Sequence, residues 1–214
     1  MMQLIAADCY DQFVNDLSGM HRLRCRVVKE RLDWDVQISG DLEIDEFDAL
    51  RPVYLIQRAS DGRVQGCVRL FPSTGPTMLL DAFPILLDGA AEPASSTIWE
   101  SSRFALDLHT NVPKAGHGLA TATYEVLAGM IEFGLSRRPT KIVTVTDARV
   151  VRILRRAGYG LCGQLANLTR LAMRLQLLAI LRLRLKAWRA LGAGRTCGCL
   201  EKSQQRQERL ARLL

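Results

Sequence analysis

Ile98-Trp99-Glu100-Ser101-Ser102-Arg103-Phe104-Ala105-Leu106 is apolar at both ends and free of glycine and proline, and it predicts a β-strand. In a regular strand Trp99, Ser101, Arg103 and Ala105 share one face, and Glu100, Ser102 and Phe104 share the other. Glu100 and Arg103 then meet at one site only if a bulge intervenes. Upstream, residues 53–57 and 64–71 are β-rich runs separated by Ser60-Asp61-Gly62, a turn signal, and they predict a hairpin. Asp8 to Glu30 places Phe13, Leu17, Met20, Leu23 and Val27 at helical spacing, with a break expected near Ser18-Gly19. Downstream, residues 120–135 predict a helix, Lys141 to Thr146 a short buried strand, and Ala148 to Ala157 a second helix that Gly158 ends as a left-handed C′ residue. Hairpin strands followed by helix, strand and helix describe an α/β fold: a three-layer α/β/α arrangement around a mixed, largely antiparallel sheet.

The 214 residues suffice for one domain with a sizeable core, expected over residues 1–160, followed by an atypical Leu/Arg-rich tail at 161–214. Charge divides at the same place. Residues 1–160 hold 18 Lys+Arg against 20 Asp+Glu, a net of −2, while residues 161–214 hold 11 against 2, a net of +9. The overall +7 therefore belongs to the tail, and a basic nucleic-acid-binding fold is excluded. From Gln164 to Leu191 the chain has no acidic residue and one aromatic, Trp188, too few for stacking on single strands. Arg170, Arg174, Arg182 and Lys186 fall there on one helical stripe, which suits an anionic membrane or an acidic partner helix. A change of reading frame would produce the same abrupt shift in composition, and resequencing the gene tests that.

The start, Met1 to Asp8, turns acidic within eight residues and lacks the basic, apolar pattern of a secretory signal, so a cytoplasmic location is expected. The cysteines at 9, 25, 67, 162, 197 and 199 are scattered apart from Cys197-Gly198-Cys199. Reduced thiols in packing roles are expected, and no metal is assigned.

Arg24, Trp34, Glu43, Asp45, Asp48 and Arg69 precede the run Arg69-Leu-Phe-Pro-Ser-Thr-Gly-Pro-Thr-Met78, and Trp99 to Phe104 follows it. In this order and spacing, about residues 4–160 resemble the acyl-homoserine lactone synthases, the autoinducer synthases of bacterial quorum sensing. The resemblance implies an acetyltransferase-like core and a reaction in two steps. An acyl group passes from acyl carrier protein to the amine of S-adenosylmethionine, and the carboxylate then displaces methylthioadenosine to close the lactone. S-adenosylmethionine is thus implied as a co-substrate, with no tightly bound cofactor.

The first step needs a neutral amine, so a carboxylate must accept its proton directly or through water. Glu43 and Glu100 fall on the family's positions and are the candidate bases. The second step expels a sulfonium, which needs alignment rather than a general acid. An aromatic face and nearby carboxylates suit such a cation. The resemblance gives that face to Trp34, the acidic pair to Asp45 and Asp48, and the basic positions to Arg24 and Arg69. Arg103 is expected to partner Asp45 or Asp48, and Phe83 to pack. Together these bind S-adenosylmethionine or order the N-terminal region over the sheet. Where the family carries an aromatic four residues after Arg24, Val28 stands here, a weaker wall for a nucleoside.

An apolar acyl pocket is expected among Met78, Leu79, Val143, Val145 and Leu154, with Thr144 and Thr146 placed to hydrogen-bond a 3-oxo or 3-hydroxy group. A rival reading starts from Lys114-Ala-Gly-His-Gly-Leu-Ala120, which partly resembles the pyrophosphate loop of acetyl-CoA-dependent N-acetyltransferases. Pro113 stands where that loop expects a basic or amide residue, and His109 and His117 read as loop histidines.

Overall fold

A sheet of seven strands organises the described part of the chain in the order β1-β4-β5-β6-β7-β9-β8. The computed structural model describes residues 1–87, 91–108, 113–115, 118–137 and 141–157 in full, and residues 166–171 and 174–182 by their backbone. The strands of this sheet are β1 (Met2–Ile5), β4 (Val53–Arg58), β5 (Val64–Pro72), β6 (Ile98–Leu106), β7 (Lys141–Asp147), β8 (Ala166–Leu171) and β9 (Arg174–Arg182). A separate short hairpin pairs β2 (Ile38–Ser39) with β3 (Leu42–Glu43). All neighbours in the large sheet run antiparallel except β6 and β7, which run parallel from Ile98↔Lys141 to Ser101↔Thr144.

The expected hairpin, third strand and helices form close to their predicted limits. On one face lie α2 (Thr121–Arg137) and α3 (Ala148–Arg156), burying Leu55, Leu70, Val126, Ile131, Phe133, Ile142 and Leu154. On the other lies α1 (Val14–Arg24), burying Met20, Leu23, Tyr54, Ile56 and Cys67. The fold is thus three-layered, with helices on both sides of a mixed sheet, and β4 and β5 are accordingly buried on both faces.

The break expected at Ser18-Gly19 does not occur, since α1 runs through it. A Cβ at Gly19 would meet Val64 Cγ2 at 3.1 Å, so the glycine lets the helix approach β5 closely. The helix instead loosens after Arg24 into π geometry over Cys25–Arg31, a device that re-aims side chains.

The tail's helical stripe is also corrected, because Arg170, Arg174 and Arg182 lie in paired strands. β9 runs along β7 from Lys141↔Arg182 to Asp147↔Gln176. Without it β7 would expose a row of unpaired backbone groups, and satisfying them outweighs the spacing of the arginines. Gly158, His109, His117, Lys186, Cys162, Cys197 and Cys199 lie outside the described residues. No described helix is long and apolar enough to cross a membrane.

Candidate active site

A bulge in β6 decides which charges meet. Cys67 pairs with Ala105 and Arg69 with Ser102, so Arg103 and Phe104 together oppose Val68. Arg103 takes a φ of +52°, a left-handed conformation that costs a non-glycine residue roughly 1–2 kcal/mol. Its carbonyl accepts from the Cys67 thiol, Sγ···O 3.6 Å. Glu100, Ser102, Arg103 and Ala105 consequently share the face that carries Arg69, whereas Trp99, Phe104 and Leu106 pack on the α2 side. Regular alternation would have set Arg103 with Trp99 and opposite Glu100; the extra residue overrides it.

Arg24, Arg69 and Arg103 meet Glu43, Asp45 and Asp48 in a neutral cluster in which no side chain is more than 8% exposed. Arg24, closing α1, donates from Nε to Glu43 and forks Nη1 and Nη2 onto Asp48 at 2.8 and 2.9 Å. Arg69 forks onto Asp45, reaches Asp48 at 2.8 Å and donates from Nε to Ser102 Oγ at 3.1 Å. Its guanidinium lies 5.5 and 5.3 Å from the rings of Phe47 and Phe71. Arg103 Nη2 sits 2.9 Å from Glu43 and 2.7 Å from Asp45. Asp45 and Asp48 also cap the short 3-10 turn Glu46–Asp48 reciprocally, and Tyr54 donates to Asp48 at 2.6 Å.

Burial alone would raise the Asp48 carboxyl, but hydrogen bonds and charge from Arg24, with the charge of Arg69, hold it well below the usual range. Burial lowers the Arg103 guanidinium, an effect that Glu43 and Asp45 partly reverse. Glu100 is pushed upward by burial, and the amides of Leu79 and Met78 pull it part of the way back. Those amides lie 2.8 and 2.9 Å from its two oxygens, at the start of the π-turn Met78–Ala82. Both oxygens of Glu100 therefore anchor that turn, while Glu43 is enclosed between Arg24 and Arg103.

Beyond Ser101 and Thr144 the parallel strands part, and a cleft of about 50 Å³ lies in the gap. Val28, Leu32 and Trp34 line it from the π-helical segment and the chain after it, and Met78 and Phe83 from the following turn. Ser102 to Phe104 line it from β6, Thr144 to Asp147 from β7, and Val150 from α3. Of the expected acyl pocket only Met78, Val145 and the two threonines reach this cleft. Leu79 and Val143 pack with Leu86, and Leu154 lies in the α2 core. Thr144 donates to the Ser101 carbonyl at 2.9 Å, whereas the Thr146 hydroxyl has no hydrogen-bond partner among the described residues.

A family model described as autoinducer synthase matches residues 8–181. The chain belongs to the autoinducer synthase family. An acyl-homoserine-lactone synthase of Agrobacterium fabrum (strain C58) is 43% identical over 155 residues, 72% of this chain and 74% of that protein. The crystal structure of the AHL synthase LasI superposes with a TM-score of 0.77 at 32% identity, covering 92% of this chain and 96% of the other. BjaI, a CoA-dependent acyl-homoserine lactone synthase solved with SAM and isopentyl-CoA, superposes with a TM-score of 0.79 at 20% identity, over 96% and 99% of the two chains, a likeness of fold. Autoinducer synthases are acyltransferases, and this chain is one.

In this autoinducer synthase every charged candidate outside Glu100 enters the one cluster, and Val28, Trp34 and Phe83 stand together at the cleft. Ser102, Tyr54, Phe47 and Phe71 escaped the sequence reading. The available signal was positional: Phe71 shares a strand face with Arg69, and Tyr54 is the cross-strand partner of Arg69. The glycine-rich loop is held by a bridge between Lys114 and Ala120, and its Gly116 and His117 lie outside the described residues.

Proposed function

We propose that this autoinducer synthase transfers an acyl group from an acyl carrier protein thioester to the amine of S-adenosylmethionine and then closes the homoserine lactone. The observation that carries the reading is the cleft itself. One end is bordered by Trp34 and the charged cluster, and the other opens between the splayed strands toward Thr146 and α3. A sulfonium amino acid suits the first end and an acyl chain the second.

In the first step the amine nitrogen bonds to the acyl carbon, the C–S bond of the thioester breaks, and a thiol leaves. Glu43 or Glu100 takes the amine proton through water, since both carboxylates are engaged by N–H donors in the folded protein. In the second step a carboxylate oxygen bonds to the γ-carbon, and the C–S⁺ bond breaks to release neutral methylthioadenosine. Arg24, Asp45, Asp48 and Arg69 hold the N-terminal region over the sheet, so that Val28 and Trp34 face the substrate. Thr144 and Thr146 flank the acyl chain.

A carrier protein is favoured as donor because α3, whose Val150 lines the cleft, exposes Arg149, Arg152, Arg155 and Arg156. Such a face fits an acidic protein partner. The catalytic unit is residues 1–160, and the cytoplasm, where both substrates occur, is its place of work. Mass spectrometry of reactions with S-adenosylmethionine and a panel of acyl carrier protein and acyl-CoA thioesters tests the reading. Acyl-homoserine lactone and methylthioadenosine appearing together support it, with the carrier protein donors faster. Neither product from folded protein refutes it.

A further inference from the structure

Two guanidinium nitrogens of Arg103, at the charged end of the cleft, lack a strong acceptor. Arg103 Nε is buried with no hydrogen-bond partner among the described residues, on a side chain only 8% exposed. Arg103 Nη1 has only the Met78 sulfur, at 3.9 Å, whereas Arg69 Nη2, 3.2 Å from the same sulfur, also donates to Asp45 at 3.0 Å. A thioether accepts weakly, so a buried guanidinium facing it is poorly compensated. Met78 and Arg103 both line the cleft, so the Arg103 donors border the space a substrate enters, with Arg69 fully buried behind them. The Met78 backbone is pinned by Glu100 at 2.9 Å, while its unbranched side chain has rotamer freedom.

We infer that Met78 is a gatekeeping residue over a carboxylate seat formed by Arg103. Its thioether orients the Arg103 donors toward the cleft and yields them to the carboxylate of the amino-acid substrate. This rests on S-adenosylmethionine being the acyl acceptor. Charge-assisted hydrogen bonds then replace contacts to sulfur, and the carboxylate is held at one end, free to turn toward the γ-carbon once the amine is acylated. A protein group at position 78 that accepts strongly would compete with the substrate for the same donors.

The test is calorimetric titration of wild type, Met78→Gln and Met78→Leu with S-adenosylmethionine and with decarboxylated S-adenosylmethionine, which lacks only the carboxylate. Wild type should prefer the carboxylated ligand by at least about tenfold, the strength of a hydrogen bond to a charged group. Met78→Gln should erase about tenfold of that preference and leave the decarboxylated ligand's affinity within about twofold. Met78→Leu, similar in volume and without an acceptor, should keep or enlarge the preference. Equal affinity of wild type for both ligands overturns the seat. A Gln variant weakened equally for both, or for neither, overturns the gatekeeping, as does a Leu variant that loses the preference. If the Gln variant does not fold, wild type and the Leu variant decide. Failure of wild type to bind either ligand sinks the acceptor reading itself.

Discussion

Asp48→Asn isolates what charge contributes to the buried cluster, because the replacement has nearly the same shape. The Asp48 carboxylate accepts five hydrogen bonds. Arg24 Nη1, Arg69 Nη1 and Tyr54 reach Oδ1 at 2.8, 2.8 and 2.6 Å, and Arg24 Nη2 and the Asp45 amide reach Oδ2 at 2.9 Å each. An asparagine that turns its oxygen to the first three brings its NH2 against the last two. Two hydrogen bonds become donor–donor contacts, and a neutral cluster acquires a net positive charge out of reach of water. Breaking one partner from a buried ion pair costs about 3–5 kcal/mol. For a chain of this size that lowers Tm by about 6–20 °C.

The pH dependence separates charge from shape. Asp48 has its folded pKa held below the unfolded value of about 3.9, so its contribution is fully present above that value and is lost as pH falls below it. Urea unfolding across a pH series should therefore show a constant gap between wild type and variant from about pH 8 to 5, narrowing below about pH 4. A gap under about 1 kcal/mol at neutral pH, or one that persists undiminished into acid, would refute the reasoning.

Glu100→Gln sets an NH2 against the Met78 or Leu79 amide, so stability should fall by about 1–3 kcal/mol and exchange of those two amides should quicken, alongside loss of turnover. Unchanged turnover in the soluble variant removes Glu100 from the mechanism. Thr146→Val should slow 3-oxoacyl donors about fivefold relative to unsubstituted ones, measured in paired competition assays. Thr144→Val, whose hydroxyl is engaged by Ser101, should cost about 1 kcal/mol of stability with no change in that ratio. Reversing Arg152 and Arg155 to Glu should raise KM for the carrier protein donor and flatten its salt dependence, while a small thioester lacking the protein is turned over as before.

Periodicity revealed the elements whose residues repeat on their own account: the β4–β5 hairpin, β6, β7, α2 and α3. Elements that exist only through a partner stayed hidden. β1 is four residues long and held by Gln57 to Tyr54 across the sheet, and β9 by the open edge of β7. The site divides the same way. Arg24, Glu43, Asp45, Asp48, Arg69 and Arg103 stood out as charges at spacings that match a family, but who pairs with whom depends on the bulge at Arg103 and the π turn after Arg24. Ser102, Tyr54, Phe47 and Phe71 are ordinary strand or core residues until an arginine lies against them.

The added residue in β6 makes that strand a parity switch. Before it, the even-numbered Glu100 and Ser102 look to the charged side; after it, the odd-numbered Arg103 and Ala105 do. Both sides of the strand are buried, so deleting one residue there would drive Arg103 toward the apolar layer or Phe104 among carboxylates. β6 thus tolerates a single alignment. The opening beside it is set by a residue count, established by the chain before any substrate arrives.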